Sequence, residues 1–390
     1  MTKIHNFEGN FKSQLKRIEK SKISKSNKDI LFKFKDYLLS EGIGYAKITK
    51  YLQDLVKFER MLEKTFKRAN EQDIRKVISE INQTNLSEHT KRGFKLIIKR
   101  FYWYLRGFKK RGIYPPEVEW ISLTISSNHK KLPEELLTEE EIKDTIQNCE
   151  TIRDKALIIT LAESGARVSE IGNMQIKHVS FEEYGARLTV DGKTGTRKIL
   201  VINSTPYLQE WINQHPKNDN PNSYLWYNPH GELLTYARIA AILKKAAGRA
   251  GIKKRIYPHL LRHSQATRMA SIMSEAEMKQ YFGWTQSSNM TGIYVHMSGK
   301  AVDDAILRAN GIEIKKDKKE QKLKPTICLR CKIENQATNR CCRHCGLILD
   351  EEYAKEKLKE DADRTRAEKL ISSLMKDEEV VEIIEKKFQI

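Results

Sequence analysis

The sequence predicts a mainly α-helical protein with a small β-hairpin in its central domain, an α+β arrangement: a helical bundle, a larger helical domain holding the hairpin, and a small cysteine-rich module. Three observations predict it. Apolar residues recur at helical spacing from Lys28 to Phe108. A single strand–turn–strand pattern interrupts the later helices between Ala186 and Ile202. Two Cys-x-x-Cys pairs lie close together beyond Lys324.

At 390 residues the chain exceeds one ordinary domain of roughly 100–200 residues, so two or three folded units are expected. Hydrophobic content is only 39%, but 12 Phe, 15 Tyr and 5 Trp supply enough bulk for real cores. Residues 1–27 are basic and poor in apolar side chains and read as an N-terminal arm, either disordered or a helix that orders on a partner.

The bundle, residues 28–112, is read from four apolar stripes. These are Ile30, Leu31, Phe34 and Leu38; Tyr51, Leu52, Leu55, Phe58 and Leu62; Ile74, Val77, Ile78 and Ile81; and Phe94, Ile97, Ile98, Phe101 and Leu105. Lys47, Lys50, Lys57, Lys91, Arg92, Lys95, Lys99 and Arg100 lie on the polar faces, where they suit either phosphate contacts or plain solvation. Pro115-Pro116 breaks the helical pattern, and residues 113–134 read as a linker.

The central domain, residues 135–312, opens at Thr138, which with Glu141 fits a capping box at a helix start. Its hairpin carries Gly192 and Gly195 in the turn. A charged linker (313–325), the cysteine module (326–350) and a charged helical tail (351–390) follow.

Lys and Arg number 71 against 51 acidic residues, a formal charge of +20 with a pI near 9.5, which implies a polyanionic partner, nucleic acid ahead of an anionic membrane surface. The stretch after Met1 has no apolar core of a secretion signal, and no segment approaches the roughly 20 apolar residues of a membrane span. A cytoplasmic location is therefore expected.

Four separated signals fall in the central domain: Gly165-Ala-Arg167-Val-Ser-Glu170 entering a helix, Lys193 in the hairpin turn, His259-Leu-Leu-Arg262-His263, and Gly283-Trp284 followed by Tyr294-Val-His296. Singly, each has an ordinary structural explanation. Together, in this order and spacing, they resemble the catalytic set of the tyrosine recombinases, the phage-type integrase family of DNA breaking-rejoining enzymes. The resemblance spans about Asn27 to Asn310 and includes the bundle, which is similar to the family's core-binding domain. It places the family's arginine, hairpin lysine, His-x-x-Arg pair, His-or-Trp position and tyrosine on Arg167, Lys193, His259 with Arg262, Trp284 and Tyr294. Lys198 and Arg197 share the hairpin and leave the lysine position open, with Lys193 preferred for its place in the turn. Trp284 stands where histidine is commoner in the family.

The chemistry suits such residues. In-line attack on a phosphodiester concentrates negative charge on the non-bridging oxygens, which two guanidiniums, Arg167 and Arg262, can clamp. A phenol with an ordinary pKa of about 10 is a poor nucleophile unless its proton is taken up or its anion stabilised, an environment that the arginines and His259 supply. A lysine beside other cations, Lys193, can protonate the leaving 5′ oxygen. The resemblance implies a covalent 3′-phosphotyrosine on Tyr294, with no ATP or catalytic metal. It also implies double-stranded DNA as substrate and a tetramer in synapsis, with monomers or dimers off DNA. The short helical segment Ala301–Arg308 is then placed to pack on a neighbouring protomer. Glu170 reads as either a partner of Arg167 or a surface carboxylate, His263 as structural. A DNA-binding regulator without catalysis, a topoisomerase and a telomere resolvase are the competing readings.

Cys328-x-x-Cys331 and Cys342-x-x-Cys345 have the spacing at which zinc ribbons present four thiolates, so a structural zinc is expected, with Cys341 and His344 as spare ligands. Cys149 stands apart as a structural thiol.

Overall fold

The computed structural model describes residues 4–110, 112–124, 135–228, 230–295, 323–376 and 387. The chain divides into two units, Met1–Lys131 and Leu132–Ile390.

The first unit contains α1 (Phe7–Glu19), α2 (Lys25–Ser40), α3 (Tyr45–Leu62), α4 (Glu71–Gln83), α5 (Glu88–Leu105) and the short α6 (Pro116–Glu119). The four expected stripes converge on a core in which Leu31, Phe34, Leu38, Leu52, Leu55, Phe58, Phe66 and Phe101 are fully buried. Two expectations are corrected here. Part of the stretch read as an arm, disordered or helical on a partner, is a helix that packs on the bundle itself: Phe11 and Ile18 of α1 are buried in that same core. The start of the stretch read as a linker is also folded in, since Val118 and Ile121 join the core. The rest of that linker, residues 125–134, lies outside the described residues.

Several of the basic side chains on these faces also make contacts within the fold. Lys99 is buried and donates to the carbonyls of Glu119 and Ile121. Arg92 donates to the carbonyl of Leu123, Lys91 pairs with Glu88, and Lys50 pairs with buried Asp54. Lys47 and Arg100 both lie over the ring of Tyr51, at 5.8 and 5.7 Å.

In the second unit, α7 (Glu139–Gln147) starts on the expected capping box, Thr138 accepting from the Glu141 N–H while the Glu141 carboxylate accepts from the Thr138 N–H. Helix α8 (Ile152–Ser164) runs through the core, every residue from Ala156 to Ser164 buried. After α9 (Val168–Gly172) comes an antiparallel sheet of β1 (Val179–Glu182), β2 (Gly185–Gly192) and β3 (Gly195–Val201), so the expected hairpin gains a third, edge strand. Val179–Glu182 is short and largely exposed, with none of the alternating burial that marks a strand in sequence. Next come α10 (Thr205–Asn213), α11 (Tyr236–Arg249), α12 (Pro258–Met269), α13 (Glu275–Phe282) and α14 (Met290–Val295).

The cysteine module adds the two-stranded sheet of β4 (Thr326–Ile327) and β5 (Glu334–Asn335). It docks on α10: the Tyr207 hydroxyl is 2.8 Å from the Thr338 hydroxyl and accepts from the Thr338 N–H, and Gln336 donates to Glu210 at 2.6 Å. Helix α15 (Glu351–Leu374) buries none of its residues. No helix among the described residues is long and apolar enough to cross a membrane. His296, Ala301–Arg308 and residues 377–386 lie outside the described residues.

Candidate active site

A helix leaves its last carbonyls without partners inside the helix, at the negative end of its dipole. At the end of α13 three successive carbonyls each accept from a different arginine. Arg197 Nε donates to Tyr281 at 2.9 Å, Arg262 Nη2 to Phe282 at 2.8 Å and Arg167 Nη2 to Gly283 at 3.3 Å. The arginines come from β3, from α12 and from the turn between α8 and α9, so this one helix end gathers parts spread over about a hundred residues of sequence.

Local sequence explains each approach. Helix α8 stops at Gly165 in the left-handed conformation (φ +55°), where a side chain would both be strained and lie 2.5 Å from the Phe282 ring. Its carbonyl accepts from Arg262 Nη1 at 2.8 Å. The hairpin closes with Gly192 paired to Gly195, leaving Lys193 and Thr194 as a two-residue turn. Thr194 donates to the Gly283 carbonyl at 3.0 Å, which ties the turn beside Trp284.

Glu170 is the anionic centre of the cluster. Its side chain is 1% exposed and accepts from Arg167 Nη1 at 2.8 Å, from the Arg167 N–H at 2.8 Å, and from Arg197 Nη1 and Nη2 at 3.2 and 2.8 Å. Burial opposes its ionisation, yet Arg197 foremost, with Arg167, holds the carboxyl below its ordinary range. The ion pair anticipated for Arg167 is therefore present, and it has a second arm in Arg197.

Arg262 is 3% exposed. Its two terminal nitrogens are held by backbone carbonyls, and its Cζ lies 5.3 and 5.7 Å from the ring centroids of Phe282 and Trp284. Burial, and then the charge of Arg167, push its pKa down to about 10. A guanidinium this far from water in a cationic cluster is poised to gain from an incoming anion.

Tyr294 on α14 is 2% exposed. Its ring stacks on Trp284, centroids 5.6 Å apart and planes parallel, and Trp284 in turn stacks on Phe282 at 5.0 Å. Burial raises its pKa while the charge of Arg262 acts the other way. Its hydroxyl lies 2.6 Å from Nδ1 of His263. Sequence reasoning set His263 aside as structural. The available signal was its place four residues after His259, on the same face of α12; the two rings meet edge to face at 4.8 Å. His259 itself is exposed on the first turn of that helix.

Lys193 is exposed in the turn. Arg197 is committed to Glu170 and Tyr281, and Lys198, its neighbour on the strand, projects from the other face of the sheet.

In the cysteine module the thiols of Cys328, Cys331, Cys342 and Cys345 lie within 4.8 Å of one another. Cys328 and Cys345 sulfurs are 3.5 Å apart and those of Cys331 and Cys342 3.4 Å; four sulfurs at 2.3 Å from a tetrahedral zinc would stand about 3.8 Å apart. Asn335 points its amide at the Cys342 sulfur from 3.6 Å. Cys341 and His344 are not part of the cluster.

A helical domain with a small sheet, a buried tyrosine and three clustered arginines has the parts that attack of a phenol on a phosphodiester would use. Residues 135–300 match the phage integrase family. The chain is 29% identical over 293 residues to the tyrosine recombinase XerA of Pyrococcus furiosus, covering 73% of this chain and 95% of that protein. It is 26% identical to XerC of Listeria monocytogenes over 68% and 92% of the two chains. Its fold is similar to that of a XerH site-specific recombinase in a post-cleavage complex with a palindromic difH substrate (TM-score 0.56, 20% identity, 78% of this chain and 96% of the other). It is also similar to a lambda integrase dimer bound to a COC′ core site (TM-score 0.54, 15% identity, 67% and 96%). This chain is a tyrosine-type site-specific DNA recombinase, an enzyme that cleaves and rejoins DNA.

Proposed function

We propose that Tyr294 is the nucleophile and that Arg167 and Arg262 hold the non-bridging oxygens of the scissile phosphate. The observation that carries this reading is the convergence of both guanidiniums on the end of α13, beside the Tyr294 ring. Arg167, 29% exposed at its side chain, meets the phosphate first, and Arg262 closes on it from the buried side. Lys193, carried on a turn tethered to Gly283, protonates the departing 5′ oxygen. His259 adds an imidazole donor at the exposed rim. Trp284 acts by packing against the phenol rather than by moving protons.

The phenol oxygen displaces the 5′ oxygen and forms a 3′-phosphotyrosine. The ester keeps the energy of the broken bond, so a 5′ hydroxyl from a second strand can reverse the step without ATP. Double-stranded DNA is the substrate, and a tetramer in synapsis is the working assembly, as in the lambda integrase tetramer bound to a Holliday junction, whose fold is similar (TM-score 0.54, 14% identity, 68% and 76%). The four clustered cysteines hold a structural zinc closed to solvent chemistry. The basic bundle serves as the core-binding domain, and the protein works in the cytoplasm.

The test uses nicked suicide duplexes built on candidate attachment sites, scored for a protein–DNA adduct that survives SDS. The wild type is expected to form it and Tyr294→Phe to form none. An equal yield from Tyr294→Phe overturns the assignment of the nucleophile.

A further inference from the structure

We propose that His263 is the proton acceptor for Tyr294. The inference rests on Tyr294 being the nucleophile. A phenol buried to 2% exposure and raised in pKa by that burial does not ionise on its own near neutral pH, so its proton must pass to a group already in hydrogen-bond contact. Nδ1 of His263 meets the Tyr294 oxygen at 2.6 Å, within the 2.6–3.2 Å reach expected of a general base. With its proton on Nε2, the neutral ring accepts the phenol hydrogen at Nδ1. Arg262, which donates to the carbonyls of Gly165 and Phe282 and keeps further N–H groups for the phosphate, has no lone pair to accept a proton, so its charge steadies the phenolate while the imidazole takes the proton.

The step balances. In cleavage the Tyr294 oxygen forms its bond to phosphorus as the bond to the 5′ oxygen breaks; the phenol proton goes to His263, and Lys193 supplies one to the 5′ oxygen. In rejoining, the 5′ hydroxyl attacks phosphorus and returns its proton to Lys193, while His263 gives its proton back to the departing phenol oxygen. Placing the base beside the tyrosine and the acid on the hairpin turn means that neither has to serve both oxygens.

The experiment follows single-turnover adduct formation by the full chain on a suicide duplex, for the wild type and for Tyr294→Phe, His263→Ala, His263→Gln, His259→Ala and Lys193→Ala. A parallel substrate replaces the leaving 5′ oxygen with sulfur, whose thiolate leaves without a proton. Both His263 variants are expected to lose about 100-fold or more in rate. That loss persists on the sulfur substrate, which relieves Lys193→Ala, and added imidazole restores His263→Ala by about tenfold. His263→Gln can keep the hydrogen bond but cannot take a proton, so a His263→Gln enzyme that cleaves within about threefold of wild type overturns the proposal. So does a His263→Ala enzyme that binds DNA as wild type does and is slow but indifferent to imidazole. An adduct from Tyr294→Phe instead removes the nucleophile itself, an outcome distinct from either.

Discussion

Glu170 and Arg197 are joined by two hydrogen bonds, 3.2 and 2.8 Å, between a carboxylate 1% exposed and a guanidinium 12% exposed, and the same arginine reaches the Tyr281 carbonyl at 2.9 Å. Arg197 thereby locks the hairpin to α9 and to the end of α13. Removing one member of a buried pair leaves the other charge partly uncompensated, which costs roughly 3–5 kcal/mol. Glu170 keeps Arg167, so Arg197→Ala is expected to destabilise by about 3 kcal/mol. Urea unfolding measures this. A variant with the parent's midpoint would show that the bridge contributes nothing.

Gly192 faces the Glu170 carboxylate so closely that a Cβ there would overlap it. The carboxylate is pinned by two arginines and has nowhere to go, so Gly192→Ala should lift the turn that carries Lys193. Because small displacements of a catalytic group cost up to about a hundredfold, adduct formation should fall by at least roughly tenfold. DNA affinity, measured by fluorescence anisotropy, should stay near that of the parent. Equal losses in binding and cleavage would mean that the whole unit has been disturbed.

Most of this site could be read from the sequence because it is carried by short motifs: Arg167 at a helix entrance, His259 and Arg262 three apart on one helix, Lys193 between two glycines. The periodicity of the bundle was equally plain, since its stripes are buried on one side only. What escaped were contacts made between distant elements. The approach of His263 to Tyr294 spans 31 residues and that of Arg197 to Tyr281 spans 84. The second leaves no local pattern, and the first shows only in the four-residue spacing of His259 and His263 on one helix. Lys99 escaped for a related reason: nothing around it in sequence shows that its ammonium is buried among the carbonyls of Glu119 and Ile121. That helix α1 packs on the bundle is hard to read because its few apolar residues are diluted by exposed lysines.

Alkaline pH should loosen the second unit. Burial pushes the phenols of Tyr207 and Tyr281 up to about 12. Both folded-state values are raised, so the unfolded chain sheds these protons near pH 10 while the folded chain keeps them. The stabilisation is complete below about pH 10 and is lost as pH climbs towards 12, at about 1.4 kcal/mol per pH unit for each group. Tyr281→Phe should flatten that slope by one group's share. It should also cost about 1 kcal/mol at neutral pH, because its hydroxyl donates to the Glu163 carbonyl at 3.1 Å. A slope unchanged in Tyr281→Phe, measured by urea unfolding between pH 9 and 11.5, would count against a buried, neutral phenol.

Zinc should be needed for the cysteine module and dispensable for the chemical step. The four thiols lie within 4.8 Å of one another, none of them in a disulfide, and a short ribbon with a two-stranded sheet buries too little apolar surface to hold itself together without a metal. Metal analysis of the purified chain is expected to find one zinc per protein, and Cys342→Ser to abolish it. With the metal gone, the contacts of Gln336 and Thr338 with Glu210 and Tyr207 lose their rigid support, and residues 326–350 should become open to protease. The arginine cluster at the end of α13 draws no side chain from the module, so adduct formation on a suicide duplex should persist within a few-fold. If Cys342→Ser keeps its zinc and its protease resistance, the four-thiolate site is wrong. If it loses both and also loses the adduct while still binding DNA, the module reaches the chemistry through α10, and the separation of structural metal from reaction fails.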